Sequence, residues 1–221
     1  MALPLPLRNR LADLILDAVH DAAAREALAA VAAVCADPRA PEAAALPPRF
    51  PADLFESGAG GLGVRSGFVA HAREFCDRAH AGWDVVRARP LEPADATLAS
   101  ALAVAAAFFD AGLFFEVHEL LEPHWFRAQG PEREPLQGLI QVAVGFQHLA
   151  NGNLRGAVLL LHEGGARLPG KRLAGLELDA FAAAAQSCGR ATAALDPAEA
   201  SAAARFDWTT VPGFPRAAGA A

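Results

Sequence analysis

The sequence predicts an all-α protein: a compact helical bundle built from two helix-turn-helix hairpins plus a covering helix, with an N-terminal helical extension. Three observations predict it. Apolar residues recur at helical spacing, as Leu11, Leu14, Ile15 and Val19 do. Alanine, the strongest helix former, is abundant, and β-branched runs are few. Proline- and glycine-rich punctuation cuts the chain into helix-length pieces.

Residues 1–92 read as the extension. One or two helices fill ~8–36, and the proline-rich stretch 37–51 (DPRAPEAAALPPRFP) is a non-helical linker. SGAGGLG at 57–63 is a second, flexible break, followed by a helix over 66–86 carrying Phe68, Phe75, Ala79 and Trp83. Residues 93–196 read as the core. Asp95 or Thr97 caps a helix running to Phe109, and Gly112 suits the left-handed position that ends it. Further helices are expected at 113–127, 136–150, 154–168 and 177–195, separated by QGPEREP, Asn151-Gly152-Asn153 and Pro169-Gly170. Pro123 should bend or end its helix. Residues 197–221 form an extended tail, with Phe206 and Trp208 folding back onto the core.

FFDAGLFFEVHELLE and HLANGNLRGAVLLLH align with Gly112 over Gly152, a weak internal repeat of about 40 residues. The alignment puts His118, Glu119 and Glu122 over Val158, Leu159 and His162, and His148 over Phe108. Ionisable groups thus fall where the other hairpin has mostly hydrophobes. At about 100° per residue, Phe115, His118, Glu122 and Trp125 share one arc, with Glu119 at its edge. On the next helix Gln137, Gln141, Val144, His148 and Asn151 share a stripe. Antiparallel packing would let the two stripes face each other.

A buried carboxylate is costly unless paired or bound to a cation. The cluster His118, Glu119, Glu122, Gln137, Gln141, His148 and Asn151 is therefore the candidate site. In one reading it binds a small molecule or a divalent metal, with His118, Glu122 and His148 as ligands, a water in the fourth position and Glu119 as a general base. In the other it is a hydrogen-bond network that sets helix register in a helical-hairpin interaction module. No HExxH motif and no repeated ExxH pair is present.

The net charge of -6, with Lys171 the only lysine, argues against nucleic-acid binding. With 53% hydrophobic residues in 221, the chain can bury a real core. No apolar stretch of membrane-spanning length and no signal peptide is read, so a cytoplasmic protein is expected, with a small molecule or a protein as its partner. Cys35, Cys76 and Cys188 are odd in number and far apart, and are expected to be reduced thiols. Cys76 and His80 read as helix packing, Trp125 as core and His124 as surface.

The segments AGLFFEVHELLEPHW, LQGLIQVAVGFQHLANGNLRGA and RFDWTTVP resemble the uncharacterised bacterial family DUF309, specifically over ~108–162 and weakly to ~208. The residues matching its pattern are Glu116, His118, Glu119, Glu122, Trp125, Gln137, Gln141, His148, Gly152 and Asn153. Phe126 stands where the family often has a basic residue, and Pro123 is unusual there. The resemblance implies an all-α cytosolic bacterial protein and supplies no activity.

Overall fold

Asp21 alone separates α1 (Leu5–His20) from α2 (Ala22–Ala36). Its extended backbone breaks the helix, and its carboxylate accepts the Ala24 N–H at 2.9 Å, capping α2. That backbone hydrogen bond, with Arg49 nearby, holds the Asp21 carboxyl below its ordinary range. The computed structural model of the protein describes residues 3–39, 46–93, 95–196 and 202–216. Parts of two expected segments, the linker at 40–45 and the tail at 197–201 and 217–221, lie outside the described residues. The chain divides into two compact units, 1–96 and 97–221.

In the first unit, α1, α2 and α3 (Ala72–Arg87) pack on one another around Leu7, Leu11, Ile15, Leu28, Val31 and Phe75. Two expectations are corrected here. The glycine-rich break is an antiparallel hairpin of β1 (Phe55–Gly58) and β2 (Gly61–Val64), because short strands need only local pairing once a glycine turn reverses the chain. Cys35 and Cys76 are not free thiols. They form a disulfide between α2 and α3 with Cα atoms 5.3 Å apart, a proximity that residues 41 apart in sequence do not announce. Beside it, His80 Nε2 lies 2.9 Å from the Ala32 carbonyl oxygen.

The second unit is a run of helices in which each packs on the next: α4 (Leu98–Asp110), α5 (Phe114–Arg127), α6 (Arg133–Ala150), α7 (Leu154–Ala166) and α8 (Asp179–Ala193). This is the all-α bundle of two hairpins with a covering helix, which is α8. Thr97, not Asp95, caps α4 by accepting the Ser100 N–H at 3.2 Å. Pro123 sits inside α5, which continues to Arg127. A two-residue-strand hairpin, β3 (Arg172–Leu173) with β4 (Leu176–Glu177), fills the α7–α8 connection. No helix among the described residues is long and apolar enough to cross a membrane.

Both hairpins turn on the same backbone device. Gly112 has φ +75° and Gly152 has φ +78°. In each, the glycine N–H donates to the carbonyl three residues back and the next N–H donates five residues back: Gly112 to Phe109 and Leu113 to Phe108, Gly152 to Leu149 and Asn153 to His148. These are two matching Schellman closures. The α6–α7 pair then comes very close, since a Cβ on Gly164 would stand 2.8 Å from both the Gly138 oxygen and the Val142 nitrogen.

Candidate functional site

The two polar stripes are the half-buried flanks of α5 and α6. The buried face of α5 carries Phe114, Glu116, Val117 and Leu121. His118, Glu119 and Glu122 keep 24%, 35% and 39% of their side-chain surface, so water reaches all three. The aligned positions on α7 are no more buried: Val158 is intermediate, and Leu159 and His162 are exposed. The expected clash between charge and core is therefore absent at these positions. Among the described residues the fully buried carboxylate is Glu116, in the first turn of α5, where helix N–H groups favour negative charge.

The cluster separates into local groups. His118 Nδ1 lies 3.0 Å from Glu119 Oε1, and its Nε2 lies 3.7 Å from Glu122 Oε1, all on α5. Gln141 looks to α7 instead: its Nε2 donates to Glu163 Oε2 at 3.1 Å, and Arg167 Nε donates to its Oε1 at 2.9 Å. The close approach at Gly138 and Gly164 brings that glutamine to its partners. His148 belongs to the turn: Asn153 Nδ2 donates to its Nδ1 at 3.0 Å, while Asn153 Oδ1 accepts the Gly156 N–H at 3.0 Å and caps α7. Gln137 and Asn151 are half-buried on the same stripe.

Of the set His118, Glu122 and His148, the first two meet on α5, while His148, in the last turn of α6, is engaged by Asn153. Among the described residues no group of three or more His, Cys, Asp or Glu side chains is placed to hold a metal ion. Glu163 and Arg167 were missed in the sequence, although their four-residue spacing on one helix was a signal. Trp125 is half-buried with the Arg133 guanidinium 4.3 Å from its ring centroid, and His124 is half-buried, not exposed. Burial and the Arg127 charge push the His124 pKa down.

A second feature lies where the C-terminal segment returns to the α4–α5 turn. Phe214 is buried, with ring centroids 5.3 Å from Phe109 and 5.5 Å from Phe181. Trp208 stacks on Phe114 with centroids 6.3 Å apart. A short 3-10 turn at Trp208–Thr210 holds this wall, capped by Asp207. The Thr209 hydroxyl and N–H donate to Asp207 Oδ1 at 2.6 and 3.0 Å and keep its carboxyl below the ordinary range. Behind it, Cys188 donates to the Thr210 carbonyl at 3.5 Å, and burial pushes its thiol pKa up. Hairpin and segment line an open, shallow cleft of ≈ 440 Å³, walled by Phe109, Phe114, Trp208, Val211 and Pro212 with Asp110 among its lining residues. Trp208 was expected to fold back, whereas Phe214 and Asp110 were not singled out.

Residues 102–160, from within α4 into α7, match the family described as Domain of unknown function (DUF309). The match covers both glycine turns and all seven residues of the polar cluster, in agreement with the resemblance read from the sequence. No curated protein and no solved structure matches the chain.

Proposed function

We propose that the unit 97–221 is a small-molecule-binding module whose ligand occupies the cleft between the α4–α5 turn and the C-terminal segment. The His/Glu/Gln cluster then serves the fold, linking α6 to α7 through Gln141 and closing their turn through His148. One observation carries the reading: the cleft of ≈ 440 Å³ is walled by aromatic and aliphatic side chains with one carboxylate among its lining residues. Ligand sites fall at roughly 300–1,000 Å³ with this mix of apolar lining and few polar groups. The cluster, by contrast, spends its polar groups within the chain, as His118 does on Glu119 and Glu122, Gln141 on Glu163 and Arg167, and His148 on Asn153.

A bacterial cytoplasm is the proposed location. The Cys35–Cys76 disulfide speaks against it, since reducing compartments seldom keep disulfides, and thiol trapping in cells decides: a reduced pair would support the cytoplasm, an intact disulfide an oxidising compartment.

A ligand screen tests the binding reading. Small apolar and aromatic compounds should raise the melting temperature and change Trp208 emission, and Trp208→Ala should abolish both responses. His118→Ala should leave binding intact while lowering stability. Loss of binding in His118→Ala with full binding in Trp208→Ala would move the site back to the polar cluster.

A further inference from the structure

Asp110 is the last residue of α4, where the helix dipole already presents negative charge. An acid there needs a cation. The chain supplies one: Arg216 Nη2 pairs with Asp110 Oδ2, and the Phe214 N–H donates to Oδ1 at 3.0 Å. Among the residues lining the cleft, Asp110 is the ionisable one, and the rest of the wall is aromatic or aliphatic.

We propose that the cleft selects an organic cation, an alkyl- or aryl-substituted ammonium or amidinium, which displaces Arg216 from Asp110 Oδ2 and lays its apolar part against Trp208 and Phe114. This rests on the cleft being the ligand site. Three features of the site support it. The carboxylate and the helix end repel anions, while aromatic faces attract cations. The Asp110–Arg216 pair lies at the solvent edge, with 32% and 45% of the two side chains exposed. An exposed pair contributes little and exchanges readily, so another cation can take the place of the guanidinium. Because Oδ1 is already committed to the Phe214 N–H, the ligand needs one donor toward Oδ2 and not a bidentate fork. Arg216 is in this sense a resident competitor: the site stays neutral when empty and gives up its own arginine when filled.

Calorimetric titration of the full chain with benzamidinium, benzyl alcohol and benzoate tests the idea. Benzamidinium should bind about tenfold more tightly than benzyl alcohol, the size of one favourable charged contact to a carboxylate and an aromatic face. Benzoate should not bind. Added salt should weaken benzamidinium in Arg216→Ala, where Asp110 starts without the guanidinium, more than in wild type, and leave benzyl alcohol unchanged. Arg216→Ala removes the competitor while keeping Asp110 and its Phe214 N–H bond, so it should tighten benzamidinium several-fold and leave the neutral compound unchanged. Asp110→Asn should erase the preference for the cation. Should that variant fail to fold, Arg216→Ala still decides. Equal binding of benzamidinium and benzyl alcohol in wild type and in Arg216→Ala would overturn the cation selectivity and leave the cleft reading standing. Binding of none of the three compounds to either protein would overturn both.

Discussion

The two glycine turns of the helical unit have one backbone and two chemistries. In the α4–α5 turn the residues joined by the longer closing bond are Phe108 and Leu113, both buried. In the α6–α7 turn they are His148 and Asn153, joined side chain to side chain at 3.0 Å. The apolar contact that usually accompanies such a closure has been replaced by a hydrogen bond. Asn153 then does a second task that Leu113 cannot, capping the following helix by accepting the Gly156 N–H. The first hairpin has Glu116 in the first turn of α5 instead. The lesson is that the glycine position specifies the turn, while the surroundings specify what closes it: core in one case, half-exposed flank in the other.

Exchanging the two closures should expose the difference most strongly. Phe108→His with Leu113→Asn places polar groups in a sealed core and should cost more than about 4 kcal/mol, read as a denaturation midpoint shift. Next comes the helix contact special to the second hairpin. Gly164→Ala drives a methyl to 2.8 Å from two backbone atoms of α6 and should cost about 1–3 kcal/mol, with weakened Gln141–Glu163 pairing. The shared feature should respond equally. Gly112→Ala and Gly152→Ala meet no neighbour within 4 Å, so each should lose only the left-handed backbone cost of about 1–2 kcal/mol. Unequal losses would break the equivalence of the turns. The reverse exchange, His148→Phe with Asn153→Leu, removes a cap on a half-exposed flank and should cost about 1 kcal/mol.

The smallest effect is a pH dependence in the first hairpin. Burial and Arg127 lower the His124 pKa, so below the ordinary imidazole value of about 6.5 the unfolded chain binds a proton that the folded chain resists. His124 therefore costs stability as pH falls through about 6.5, and His124→Gln should flatten the melting-temperature profile between about pH 7 and 5. An unchanged profile would remove His124 as its source.

The helices, the two glycine turns and the fold class were legible in the sequence, because helical periodicity, capping residues and left-handed glycines act within a few residues of chain, and the resemblance to DUF309 was carried by motifs over ~108–162. The polar cluster was legible as a set of residues but not as an assembly. A helical wheel orders side chains around one axis and does not say which flank a neighbouring helix covers. His118, Glu119 and Glu122 consequently looked like core positions, whereas Glu116, on the face packed inward, is the buried acid. The same limit hid the Gln141–Glu163–Arg167 link, which depends on how closely Gly138 and Gly164 let two helices approach. It also hid the Cys35–Cys76 disulfide and the clasp of Asp110 on Phe214 and Arg216, over a hundred residues away. Local propensity decided which residues are helical and where they turn. Contacts between distant segments decided which polar groups meet and where a cleft opens, because they depend on the packing of whole helices.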